Sequence, residues 1–211
     1  MIPNNNSRRI VPFLWISVFL FIGFLLLLSN NVRLCGDDMH ILNAYIEKGW
    51  FQSVYSHTSI IRWSSILLFN SIFLINEDIQ TTEWSILSYY LFVFTYLFTS
   101  LSFLFRVIIF KITNTAISYK DSFLISVIFS IVLYFSTSEN IDVWFWPLSS
   151  TVYLFPVISF ILGFAYLLSD KKGFWTYLVI CFTFLFIGGA VENFALAVLF
   201  ILSGILFLSF F

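Results

Sequence analysis

Charged residues are scarce in this chain: Asp, Glu, Lys and Arg together make up 10% of its 211 residues. An ordinary soluble domain carries about 25% of such residues, so this chain has too few charges to cover the surface of a globule in water. Its formal net charge is −1, whereas proteins that bind nucleic acid present a basic surface. The composition therefore excludes a cytosolic enzyme, a disordered protein and a nucleic-acid-binding protein.

Cysteine is also rare, and the two cysteines, Cys35 and Cys181, cannot form a disulfide framework. Apolar residues are abundant instead, at 60% of the chain. The 29 phenylalanines alone outnumber the 10 basic and 11 acidic residues together. This balance predicts an integral membrane protein.

A membrane-spanning helix needs roughly 20 apolar residues, with a range of about 17–25. The stretches nearest to this length are Val11–Ser29, Trp84–Phe110, Ser122–Thr137, Val152–Leu168, Phe174–Ala190 and Phe194–Phe211. We therefore expect an all-α protein, a polytopic transmembrane helix bundle of about six spans that forms a single domain over residues 1–211. No small-residue cleavage site follows the first stretch, which is typical of a permanent span rather than a signal peptide. Because the last stretch runs to Phe211, we expect the chain to be the N-terminal part of a longer protein.

A further apolar stretch, Ile60–Ile75, fits either a thin span or a helix that lies at the interface. Cytoplasmic loops carry the excess of Lys and Arg, so the distribution of these residues decides between the two interpretations. If the stretch does not cross and the N-terminus is cytoplasmic, seven basic residues lie inside and three outside; if it crosses, two lie inside and eight outside. In the first case the inside set is Arg8, Arg9, Arg106, Lys111, Lys120, Lys171 and Lys172, and the outside set is Arg33, Lys48 and Arg62. We therefore predict a plasma-membrane protein with a cytoplasmic N-terminus, in which an extracytoplasmic segment, 30–83, contains interfacial helices.

Two adjacent carboxylates, Asp37 and Asp38, follow the first span. Such a pair near the membrane surface can act as a general base, or can bind a divalent cation through its oxygen atoms. The alternative is that the pair only caps the helix that follows, since Asp is a preferred N-cap residue. The sequence establishes no cofactor, and a divalent cation at Asp37 and Asp38 stays open.

Arg62 stands among apolar residues in the same outer segment. An arginine near the headgroup layer suits phosphate binding, because its planar guanidinium group can contact two oxygen atoms at once. The alternative is that its side chain only extends to the interface, which requires no ligand.

Aromatic residues gather around the start of the fourth span, where Trp144, Trp146 and Tyr153 follow an acidic loop. Such rings can stack on a sugar, or they can form the aromatic belt that is common at membrane boundaries. Glu192 and Asn193 stand between two apolar runs that leave almost no room for a loop. An ionisable residue at such a depth indicates a functional site, unless the pair only caps a tight hairpin.

The order of these motifs resembles that of the multi-spanning GT-C glycosyltransferases, particularly their uncharacterised bacterial branches. The matching elements are Gly36-Asp37-Asp38 after the first span, Arg62, the segment from Trp146 to Tyr153, and Glu192-Asn193 at a helix break. The resemblance implies an enzyme that moves a sugar from a polyprenyl-phosphate donor to a cell-envelope glycan or lipid acceptor on the extracytoplasmic face.

The resemblance also implies roles for individual residues. Asp37 or Asp38 would be the catalytic base, or the two would hold a divalent metal ion, and Arg62 would face the donor phosphate. The remaining implied substrate-binding residues are Trp146, Tyr153, Glu192 and Asn193.

Three other functions fit the same composition. The main alternative is a transporter or flippase subunit for a lipid-linked saccharide, since buried polar residues and broken helices also mark transport pathways. A polymerase or ligase that joins lipid-linked glycans has similar chemistry. The third alternative is a membrane scaffold without an active site.

Overall fold

A computed structural model describes residues 5–30, 40–41, 43–49, 63–73, 79–137, 144–170, 173–190 and 192–208. Every regular element within these ranges is helical, which confirms the predicted all-α class. The elements are α1 (Asn5–Asn30), α2 (Trp63–Phe73), α3 (Ile79–Thr113), α4 (Tyr119–Ser136), α5 (Pro147–Ser149), a π-helical turn (Ser150–Leu154), α6 (Phe155–Leu168), α7 (Phe174–Gly188) and α8 (Glu192–Leu208). Residues 43–49, which precede α2, are also helical.

Helices occupy all six predicted spans. Three are long and apolar enough to cross a membrane, namely Ser85–Thr113, Tyr119–Ser136 and Ser150–Leu168. The other three coincide with shorter apolar helices in the described part of the chain, namely Trp15–Ser29, Phe174–Gly188 and Phe194–Ser203. The chain is therefore a membrane protein built on a helical bundle.

The side chains of α4 show how this bundle differs from the core of a soluble protein. Its fully buried face carries Ser122, Ser126 and Ser130, which repeat every four residues. Its outer face exposes large apolar side chains such as Val132 and Phe135, at 59% and 69%. Small residues inside and large apolar residues outside are typical of helices that pack closely in lipid.

α3 lies at the centre of the bundle and packs against α1, α2, α4 and α6. Tyr96 of α3 donates a hydrogen bond to Ser159 of α6 at 3.3 Å. Further along both helices, the rings of Phe103 and Tyr166 lie 4.8 Å apart. Because the contacts advance together along the two helices, α3 and α6 run in the same direction.

The helices place their termini at two ends of the bundle. We call one the aromatic end, and it contains Tyr89, Tyr134, Trp144, Trp146, Ser150 and Gly189. We call the other the basic end, and it contains Arg106, Lys111, Lys120 and Asp170. Successive helices begin at alternate ends, as the six-span topology requires. Which of the two ends faces the cytoplasm stays a prediction.

α2 belongs to the aromatic end and is too short to cross a bilayer. Its 11 residues span about 16 Å, at about 1.5 Å per residue, which is roughly half of a hydrocarbon core about 30 Å thick. Ser64, Ser65 and Asn70 of α2 are at most 1% exposed. The described part of the interrupted stretch is therefore packed into the bundle beside the spans.

A tight corner joins α3 to α4 at the basic end. Asn114 has a φ of 54°, which is the left-handed conformation that often ends a helix. Ser118 then caps α4: its Oγ accepts a hydrogen bond from the Asp121 N–H at 3.1 Å and donates to Asp121 Oδ2 at 2.7 Å. This side-chain cap fixes where α4 begins.

Candidate functional site

The predicted site residues fall into three groups. Asp37, Asp38 and Arg62 lie outside the described residues. Glu192 and Asn193 begin the backbone of α8, but their side chains also lie outside the described part. Trp146 and Tyr153 are described. The described part of the site therefore consists of these two residues and the segments that adjoin the others.

The π-helical turn is the local feature that organises the aromatic end. The Phe155 N–H donates to the Ser150 carbonyl oxygen, five residues back, instead of to the Thr151 carbonyl as in an α-helix. Pro156 comes next, and proline has no N–H to donate. The π register therefore takes both of the nearest backbone donors away from the Thr151 carbonyl oxygen.

A hydroxyl group of α2 supplies a donor at this position. Ser65 Oγ donates to the Thr151 carbonyl oxygen at 3.1 Å, and both residues are fully buried. π-turns are rare and occur frequently at functional sites. The Ser65 contact therefore ties α2 to the irregular part of a spanning helix.

A second hydroxyl contact holds the start of the π-turn against α3. Ser150 Oγ donates to the Pro147 carbonyl oxygen at 2.9 Å and lies 2.7 Å from Tyr89 Oη. Because the Ser150 proton is already used, the Tyr89 hydroxyl is the donor to Ser150. Both residues are at most 1% exposed, so this is a hydrogen bond of the bundle interior.

α2 also contacts the C-terminal end of α7. The Ser64 N–H, which has no partner within its own helix, donates to the Gly189 carbonyl oxygen at 3.1 Å. Ser64 Oγ donates to the Phe186 carbonyl oxygen at 2.8 Å. Gly189 permits this approach, since a Cβ atom there would collide with the ring of Trp63.

These contacts bring together the described neighbours of the predicted substrate-binding residues. Trp63 and Ser64 directly follow Arg62, and Gly189 comes three residues before Glu192. Tyr153 lies in the π-turn, two residues after the Thr151 carbonyl that Ser65 contacts. The aromatic end therefore contains Trp146, Tyr153 and the described residues that adjoin Arg62 and Glu192 in the chain.

The three aromatic residues singled out in the sequence have different environments. Trp144 is 3% exposed and packs edge-on against Tyr134, with ring centroids 5.4 Å apart, so its ring belongs to the core. Tyr153 is 44% exposed. Trp146 is half-buried, and its indole N–H has no hydrogen-bond partner among the described residues. Trp146 and Tyr153, rather than Trp144, therefore remain candidates for contact with a ligand.

The serine contacts of α2 were not predictable from the sequence. Ser64 and Ser65 do interrupt an apolar stretch, and Pro156 comes five residues after the pair Ser150-Thr151. These signals indicate that each segment is unusual, but not that they meet across 86 positions of the chain. Within the described ranges, no group of three His, Cys, Asp or Glu side chains lies close enough to hold a metal ion.

No protein-family model, curated protein or solved structure matches the chain.

Proposed function

We propose that this membrane protein is a glycosyltransferase that moves a sugar from a polyprenyl-phosphate donor to a cell-envelope glycan or lipid acceptor on the extracytoplasmic face. The observation that supports the proposal best is the convergence at the aromatic end. The start of α2 adjoins Arg62, the end of α7 adjoins Glu192 and Asn193, and the two are joined by the hydrogen bond from Ser64 to Gly189.

The proposed reaction takes place at the depth of the lipid headgroups, where a polyprenyl-phosphate donor presents its reacting carbon. Asp37 or Asp38 accepts the proton of the acceptor hydroxyl as its oxygen attacks the anomeric carbon of the sugar. The bond from that carbon to the phosphate oxygen breaks, and the phosphate leaves with the electron pair. Arg62 stabilises the negative charge of the departing phosphate.

The sugar or the acceptor would contact Trp146, Tyr153, Glu192 and Asn193. The Trp146 N–H supports this role, since a buried indole N–H usually has a hydrogen-bond partner and this one has none in the described part of the chain. A sugar hydroxyl is a suitable acceptor. The exposed ring of Tyr153 offers a face on which a sugar can stack.

The proposal requires the aromatic end to be extracytoplasmic, with the N-terminus in the cytoplasm of a plasma-membrane protein. A variant that lacks the native Cys35 and Cys181 can carry one new cysteine, introduced as Lys48→Cys or Lys120→Cys. A membrane-impermeant maleimide added to intact cells should label the first variant and not the second. The reverse pattern would contradict the proposed orientation.

The activity test follows a radiolabelled sugar from polyprenyl-phosphate donors in membranes of cells that express the protein. Asp37→Asn or Asp38→Asn should lower the rate about 10²- to 10⁴-fold, because general-base catalysis contributes by that factor. Glu192→Gln should lower the apparent affinity for the sugar or the acceptor. Glu47→Gln is the matched control, since this exposed carboxylate lies in the helical residues 43–49, and it should retain the wild-type rate.

Two outcomes would count against the proposal. Wild-type rates in all three site variants would refute the site. If the wild-type protein is inactive with every donor sugar of a panel, the result would instead favour the transporter or flippase. Irregular segments within spanning helices also occur at the binding sites of transporters. Chelation by EDTA separates the two roles of the acidic pair, because activity restored by Mg²⁺ or Mn²⁺ indicates a metal site.

A further inference from the structure

A cleft of about 850 Å³ opens at the basic end, away from the site proposed above. It lies between the second half of α3, the corner before α4 and the end of α6. The residues that matter for its chemistry are Trp15, Arg106, Phe110, Tyr119, Lys120 and Phe123.

Positive charge in this cleft exceeds negative charge. Asp170 pairs with Lys111, and the Asp121 carboxylate accepts the hydrogen bond of Ser118 Oγ in the α4 cap. Arg106 and Lys120 have no acidic partner among the residues described. The cleft therefore offers two uncompensated cations to a ligand.

Arg106 lies in the last third of α3 and lines this cleft. Arg106 lies seven residues before the end of α3 at Thr113, which is about 10 Å at 1.5 Å per residue. Its guanidinium carbon lies 3.4 Å from the ring centroid of Tyr119. This cation–π contact orients the guanidinium group while leaving its edge donors available for oxygen atoms.

The rest of the cleft is apolar. Phe103, Val107 and Phe110 line it from α3, and Phe123 lines it from α4. Trp15 of α1 extends this surface, since its ring stacks on Phe123 with 13° between the planes. An inorganic phosphate ion would leave these side chains uncovered, whereas a neutral lipid would leave Arg106 and Lys120 without a counter-charge. An anionic amphiphile satisfies both parts of the cleft.

We propose that this cleft binds an anionic phospholipid of the surrounding bilayer, with its phosphate at Arg106 and Lys120 and an acyl chain against Phe110 and Phe123. The inference does not depend on the proposed transferase activity, because it uses other residues at the other end of the bundle. It predicts a lipid that stays bound when the protein is extracted.

The test measures lipid binding by native mass spectrometry on the whole protein in a neutral detergent. Phosphatidylglycerol and phosphatidylcholine with the same acyl chains are added separately. A basic residue near an anionic lipid contributes about 1 kcal/mol, so the Arg106→Gln, Lys120→Gln double variant should bind phosphatidylglycerol about 30-fold more weakly. Lys48→Gln removes an exposed cation elsewhere and should bind as the wild type does.

A single variant, Lys120→Gln, keeps the test decisive if the double variant fails to fold. Lys120 is exposed, and its loss should weaken phosphatidylglycerol binding about five-fold without changing the melting temperature. Inorganic phosphate at 10 mM should not displace the lipid, because it cannot cover the apolar side chains. Equal binding of the two lipids, wild-type binding by both cleft variants, or displacement by inorganic phosphate would each overturn the proposal.

Discussion

The hydrogen bond from Ser65 to the Thr151 carbonyl gives the sharpest test of how the aromatic end is built. Ser65→Ala removes the hydroxyl group that donates to the Thr151 carbonyl oxygen and leaves the other side chains of α2 in place. Loss of a partner for a buried carbonyl costs about 1–3 kcal/mol in soluble proteins, and hydrogen bonds between membrane helices average about 0.6 kcal/mol with a maximum near 1.7. We therefore expect the free energy of unfolding to fall by about 1–2 kcal/mol.

The assay is reversible unfolding in mixed micelles with increasing SDS, followed by circular dichroism. Ser71→Ala is the matched control in the same helix. Ser71 is exposed and donates to the Leu67 carbonyl oxygen one turn back, a bond that adds little to helix stability. Its removal should change the free energy of unfolding by less than about 0.5 kcal/mol.

A double-mutant cycle with Pro156→Ala tests the physical reason for the bond. The new N–H at position 156 can donate to the Thr151 carbonyl oxygen in the π register, which is the role that Ser65 fills in the wild type. Ser65→Ala should therefore cost less in the Pro156→Ala background, with a coupling of about 1 kcal/mol. Additive effects of the two substitutions would refute the argument that proline and the π-turn create the need for Ser65.

Two close approaches of glycine lead to further predictions, both measured by the same unfolding assay. A Cβ atom at Gly163 would lie 2.6 Å from Thr183 Oγ1, so Gly163→Ala should destabilise the α6–α7 contact by about 1–3 kcal/mol, and Thr183→Ala should restore part of the loss. Gly189→Ala should weaken the docking of Trp63 and lower any transferase activity, whereas Gly188→Ala, which meets nothing within 4 Å, should leave both unchanged. Equal effects at the two neighbouring glycines would contradict the steric reason.

Composition and charge predicted the all-α fold class. Both are sums over the residues of the chain and require no knowledge of which side chains are in contact. The apolar runs predicted where the helices lie, and the Lys and Arg count predicted that the stretch around α2 does not cross. Whether that stretch crosses the membrane stays a prediction, because residues on both sides of α2 lie outside the described part of the chain. The burial of α2 was not predictable, because Ser64 and Ser65 become interior residues only through their contacts with Phe186 and Thr151.

The candidate site was less predictable than the fold. The sequence places Trp144 and Trp146 two positions apart. It gives no sign that one ring packs against Tyr134 while the other has a buried N–H without a partner in the described part of the chain. Side-chain environments of this kind depend on the angle at which helices meet. The cleft at the basic end was missed for a similar reason, since Arg106 and Tyr119 stack only because the corner at Asn114 brings α4 back along α3.

The central helix α3 determines how the two proposed sites relate to a bilayer. Tyr89 contacts the π-turn at one end, and Arg106 lines the cleft at the other. Their separation of 17 positions corresponds to about 26 Å of helix, close to the roughly 30 Å thickness of a hydrocarbon core. When Tyr89 lies near one headgroup layer, Arg106 therefore lies near the other. The proposed donor phosphate at the aromatic end and the proposed phospholipid at the basic end would therefore belong to opposite leaflets, and the two ligands would not compete for one site.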